Sequence, residues 1–174
     1  MKKLYLILPL VASLICCTSC QKDEAEKPEE TAARPSMIYK VSLNDTVLHF
    51  FHVTLSYRSS DCRTHSLELK DGNWSLTENA WGDSLGMRMQ FSLREGVDTA
   101  YGTAAYIRDG KLDLRIVTQA RAMKTNADGS VSASYGDVIP SVWIASGMKL
   151  DNVHFTGALQ NMNHRFSHGF IGLK

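Results

Sequence analysis

Histidine, one internal cysteine and a tryptophan set among turn residues are the side chains of this sequence best suited to chemistry. His154, His164 and His168 form the set that could hold a metal or haem, because imidazole is the commonest protein metal ligand. His164 and His168 stand four apart and share a face of either a strand or a helix. A neighbouring strand carrying His154 would complete a three-ligand site. His49 and His52, three apart, point to opposite faces of a strand and cannot share an ion. Cys62 sits in Ser60-Asp61-Cys62-Arg63, where the arginine would favour a thiolate; the plainer reading is an unpaired loop thiol. In Glu78-Asn79-Ala80-Trp81-Gly82-Asp83-Ser84, an exposed Trp81 would stack on a sugar ring or anchor a partner, with Asn79 and Asp83 supplying hydrogen bonds. The competing reading folds Trp81 back over the core. Asp83, Glu95, Asp98 and Asp137 are carboxylates that glycoside chemistry could pair, although turn aspartates usually serve the backbone. There is no Gly-x-Ser-x-Gly elbow, His-Glu-x-x-His or Gly-rich phosphate loop, so no enzyme activity is favoured.

The elements that must position these residues are strands. Period-two alternation dominates from Met37 onward, as in Met87-Arg88-Met89-Gln90-Phe91-Ser92-Leu93-Arg94. Leu112, Leu114, Ile116, Thr118, Ala120 and Ala122 alternate with Asp113, Arg115, Val117, Gln119 and Arg121. Each such strand turns one face to a core and one to water, the habit of antiparallel sheets. Val153, Phe155, Gly157 and Leu159 repeat the pattern near the C-terminus, where no sustained helical period is present. Asp71-Gly72 and Asp109-Gly110 read as two-residue type I′ hairpin turns, and Asn126-Ala127-Asp128-Gly129 as a longer hairpin loop. Asn44-Asp45 turns the first strand into a long run from Thr46 to Tyr57. The expectation is an all-β domain over residues 37–174, an antiparallel sandwich or barrel of about ten strands. Trp74 and Trp143 lie inside strand runs and belong to the core.

The N-terminus has a different chemistry. Lys2 and Lys3 precede an apolar run of twelve residues from Leu4 to Ile15. As a helix that run would cover about 18 Å, short of the ~30 Å bilayer core, and so reads as the helical core of a cleaved signal peptide over residues 1–19. It ends in Cys16-Cys17-Thr18-Ser19-Cys20 and turns polar at Gln21. This junction resembles the lipobox of bacterial lipoproteins, with Thr18 and Ser19 in the small-residue positions and Cys17 where Leu or Val is usual. The resemblance implies a covalent diacylglycerol anchor on Cys20, other cofactors being unneeded, and hence firm membrane attachment. Residues 20–36 then form the lipidated cysteine and a tether. Its run Lys22-Asp23-Glu24-Ala25-Glu26-Lys27-Pro28-Glu29-Glu30 has nothing to bury in a core. An acidic stretch after the lipidated cysteine also resembles the export signal of Bacteroidota surface lipoproteins, which implies an outer-membrane location facing outward. The alternative is a solvated spacer facing the periplasm.

Composition supports this division. The 174 residues suit one domain, and a net charge of +1 offers no field for nucleic acid. With the signal and tether set aside, fourteen basic residues face thirteen acidic ones. With only Cys20 and Cys62 left after processing, no disulfide framework exists. Gly72-Asn73-Trp74 resembles the Gly-x-Trp signature of lipocalins, which implies a closed barrel carrying a small apolar ligand; in that family the motif opens the first strand, whereas about three strands precede it here. The favoured expectation is a non-catalytic surface module that binds a glycan or protein. The lipocalin-like carrier is the alternative, followed by metal or haem binding.

Overall fold

A computed structural model describes residues 33–97, 107–108, 111–136, 142–149, 152–167 and 170–174. The signal, Cys20 and most of the tether lie outside the described residues, as do His168, Asp98 and Asp137. The described chain runs β1 (Arg34–Leu43), α1 (Asp45–Phe50), β2 (Phe51–Arg58), β3 (Thr64–Glu68), β4 (Asn73–Glu78), β5 (Ser84–Leu85), β6 (Met87–Leu93) and β7 (Ile107–Arg108). It continues through β8 (Lys111–Thr125), β9 (Val131–Tyr135), β10 (Val142–Lys149), α2 (Asn152–Arg165) and β11 (Ile171–Gly172). The first strand therefore begins at Arg34, inside the stretch expected as tether.

These strands form an antiparallel β-sandwich. The larger sheet has the order β10-β8-β1-β4, with β7 and β9 also paired to β8. The smaller sheet has the order β3-β2-β6, and β5 pairs with β11. The alternation read from the sequence becomes two faces. Met37, Tyr39, Val41 and Leu43 of β1 and Leu112, Leu114 and Ile116 of β8 are buried, and they meet Phe51, Val53 and Leu55 of β2 and Met87, Met89 and Phe91 of β6 in one core. Tyr57 joins the layers, with its ring 5.6 Å from Tyr39 and 5.2 Å from Trp74.

The turns behave less uniformly. β7 and β8 pair through Arg108↔Lys111, and Asp109-Gly110 between them lies outside the described residues. β8 and β9 are joined by the expected longer loop, where Gly129 takes φ +83°. Asp71-Gly72 is different, because β3 and β4 belong to different sheets and the chain crosses between layers there. Gly72 is needed for approach: its carbonyl accepts the Leu43 N–H at 2.6 Å, and a Cβ would stand 2.6 Å from the Leu43 oxygen.

Two helices replace expected strand. Residues 45–50 form α1, which buries Thr46, Val47 and Phe50 before the chain straightens at Phe51. The larger correction is α2. The Val153-Phe155-Gly157-Leu159 alternation masks a helical set, Phe155, Ala158, Met162 and Phe166, all buried at spacings of three and four. Gly157 and Thr156, both poor helix formers on the exposed side, hide that period. Packing overrides their propensity: Phe155 stacks on Phe51 at 5.5 Å and 14°, and meets Phe50 edge-on at 5.5 Å. Asn163 then fastens α2 to the edge of the smaller sheet. Its Oδ1 accepts the Phe91 N–H at 2.9 Å and its Nδ2 donates to the Phe91 carbonyl at 3.3 Å. Among the described residues no helix is long and apolar enough to cross a membrane.

Tyr39 ties the layers together with a buried phenol. Its hydroxyl donates to the Arg58 carbonyl at 2.6 Å and accepts the Gly86 N–H at 3.4 Å. Burial pushes its pKa up to about 12. Tyr39→Phe should cost about 1–3 kcal/mol, because two backbone groups lose their partner in the core. The phenol's contribution is complete below the unfolded value near 10 and is lost as pH rises through about 12. Denaturation curves of the wild type and Tyr39→Phe should therefore converge across that alkaline window. A gap that stays constant to pH 12 would exclude the buried phenol as its source.

Candidate functional site

The outward slots of β4, β1 and β8 form a trough. Pairing places Ser42 between Asn73 and Val117, and Lys40 between Ser75 and Gln119. With Val41, Trp74 and Thr118 these six residues line a cavity of about 370 Å³. No residue of the smaller sheet contributes to its wall, so it lies on the outer face of the larger sheet. Ser42 Oγ donates to Asn73 Oδ1 at 2.8 Å, which leaves the Asn73 amide hydrogens directed elsewhere. The trough thus offers an ammonium, two amides and two hydroxyls over an apolar floor supplied by Val117.

A second concavity of about 650 Å³ lies farther along the same face. Arg34, Ser36, Asn79, Thr125 and Ala127 line it. Arg34 pairs with Thr125 and Ser36 with Met123 in the ladder that holds Lys40 against Gln119. Both hollows therefore follow β1, six residues or about 20 Å apart.

Among the described residues, three charged pairs lie on the smaller sheet and its loops. Arg58 Nε donates to Asp83 Oδ1 at 2.8 Å, and Nη2 bonds the second carboxylate oxygen. This fork, with a further bond from Ser84, holds the Asp83 carboxyl down at about 2. His52 Nδ1 lies 2.7 Å from Glu68 Oε1, and that hydrogen bond lowers the Glu68 pKa. His65 Nε2 lies 3.0 Å from Asp61 Oδ2, and its ring stacks on Tyr57 at 5.5 Å. Glu78 binds the 59–60 backbone turn, accepting from Ser59 Oγ and from the Ser60 N–H at 2.8 Å. Cys62 stands exposed in this loop with φ +62° and its Sγ 3.9 Å from the Ser60 carbonyl.

The structure distributes the residues expected from the sequence. Trp81 does not project as a contact residue. Its Nε1 lies 3.1 Å from the Met123 carbonyl and 3.3 Å from that of Ser36, bracing β1 and β8. Tyr135 meets its edge at 5.6 Å, and Lys124 Nζ sits 4.3 Å from its ring centre. Asp83 is engaged by Arg58, whereas Asn79 lines the second hollow. His154 stands on a helix rather than a neighbouring strand. It and His164 are ten residues apart on α2, so about 15 Å of axial rise separates them. Among the described residues no group of three or more His, Cys, Asp or Glu is placed to hold a metal ion.

Lys40, Ser42, Asn73, Ser75 and Gln119 are the trough residues that sequence reasoning missed as a site. Their only signal was the water-facing slot of each alternation, which says nothing about which strands adjoin. Compared with protein-family models, curated proteins and solved structures, the chain matches none in any of the three.

The bracing geometry of Trp81 sets an expectation for its removal. Trp81→Ala should lower the melting temperature by roughly 5–10 °C, through lost packing and two freed carbonyls. A shift below about 1 °C in calorimetry would return Trp81 to the role of a contact residue.

Proposed function

We propose that this chain is a lipid-anchored outer-membrane protein, held through Cys20 and displayed on the cell surface, whose β-sandwich is a non-catalytic module binding a glycan or protein ligand. The observation that carries the binding reading is the trough along β1. Lys40, Asn73, Ser75 and Gln119 there direct donors and acceptors from three strands toward one hollow. Rigid strands are good supports for such a site, because each lining side chain is fixed by ladder register. The Cys20 junction and the acidic tether support the anchored, outward placement. A small-ligand carrier would need room between its sheets. That interior is occupied by Tyr39, Phe51, Leu55, Met89 and Phe155, all buried.

Two measurements address the two parts of this reading separately. Cys20→Ala should abolish incorporation of labelled lipid and move the protein from the membrane to the soluble fraction; unchanged labelling would remove the anchor. A photo-crosslinker at Gln119 should capture a partner on intact cells, while the same group at Thr54, outward on the smaller sheet, should not. Equal capture from both positions, or capture from Thr54 alone, would remove the trough as the binding site.

A further inference from the structure

The domain is nearly neutral in total, but one face of the larger sheet carries an excess of cations. On β1, β4, β8 and β10 the outward slots of the described residues carry Arg34, Lys40, Arg115 and Arg121 against the single carboxylate of Asp113. All four cations are exposed. Off this face Asp61, Glu68 and Asp83 are engaged by His65, His52 and Arg58, and the outward slots of the smaller sheet hold Arg58 and Arg88 with Glu68. Ladder register converts the cations into positions along β1. Arg34 lies at the start, Arg121 is level with Ile38, Lys40 follows, and Arg115 lies one step beyond Leu43↔Ile116. At ~3.3 Å per residue these four levels span about 33 Å, and the two hollows lie on the same line.

We propose that this face binds an extended acidic polysaccharide, its carboxylates meeting Lys40, Arg121, Arg115 and Arg34 while its hydroxyls bond Asn73, Ser75, Gln119 and Asn79. The inference rests on the binding-module reading and adds the chemical class of the ligand. Three features select it. The positive groups are spaced along a track rather than gathered at one point, which suits a polymer bearing separated charges over a compact anion. Among them, beside exposed Val117, Val142 and Ile144, stand amides and hydroxyls, which both donate and accept and so match sugar hydroxyls. The track is also unsuited to nucleic acid. It presents four cations over about 33 Å, whereas duplex DNA carries a charge every ~1.7 Å.

The test uses the full chain in detergent, with polygalacturonate, neutral dextran and oligothymidylate as probes. Polygalacturonate should bind at low salt, dextran at least tenfold more weakly, and oligothymidylate no better than dextran. The double variant Lys40→Gln/Arg121→Gln should lose at least tenfold in affinity for polygalacturonate, with a shallower salt dependence and an unchanged melting temperature. Arg63→Gln, a cation in the loop between β2 and β3, should stay within twofold of wild type. The proposal is overturned by equal affinity for dextran, by tighter binding of oligothymidylate, by an unaffected double variant, or by no binding of polygalacturonate. Dextran binding that Ser75→Trp abolishes would overturn the acidic specificity and leave the trough as a glycan site, whereas the anchor is judged only by the Cys20 label.

Discussion

The register of β1 against its two neighbours is the constraint on which the rest of the molecule depends. β1 is paired to β8 from Arg34↔Thr125 to Leu43↔Ile116 and to β4 from Met37↔Glu78 to Ser42↔Asn73. A slip of one residue would turn Lys40 and Ser42 into the core and expose Tyr39 and Val41. Core and trough are thus two faces of one alignment. The alignment is held at both ends by side chains that act on backbone. Beyond Leu43, Asn44 Nδ2 donates to the Asp113 carbonyl at 3.0 Å while its Oδ1 accepts the Arg115 N–H at 3.0 Å. At the other end the Trp81 indole bridges the Ser36 and Met123 carbonyls.

The same device closes the smaller sheet. Asn163 does for β6 what Asn44 does for β8, pairing one amide with the N–H and carbonyl of a strand. β6 is an edge strand, and such an edge exposes unpaired backbone groups that invite association. α2 covers it, aided by the Met89 N–H bond to the Phe166 carbonyl at 3.0 Å. Glu68 on the smaller sheet is bound locally by His52, whereas Lys40, Arg115 and Arg121 on the larger one stay exposed.

How much of this could be read beforehand varies with the range of the interaction involved. Strand alternation in Met87–Arg94 and Leu112–Ala122 translated directly into burial, because a period of two depends only on local backbone geometry. The helix at 152–165 was not legible. Its burial period was carried by four residues, and Gly157 and Thr156 opposed it, so its stability comes from rings on β2 and α1 distant in sequence. Asp71-Gly72 misled for a related reason. The dipeptide signals a sharp change of direction, but whether the next strand pairs with the last or joins the opposite layer depends on where the cores meet. Trp81 is distinctive among turn residues, but its role is set by carbonyls some forty residues away on either side.

The sequence alone determined the all-β class, the side chains that share a face of each strand, and the sharp boundary between an apolar leader, an acidic stretch and a neutral domain. Those properties are local, fixed by side-chain chemistry and by the two-residue period of an extended chain. The tertiary structure alone decided that Lys40 would lie between Ser75 and Gln119, that His154 and His164 would stand along one helix, and that Trp81 would brace two strands. Such neighbours arise from pairing between distant segments, where backbone hydrogen bonds are indifferent to side-chain identity and register is chosen by the fit of the whole core.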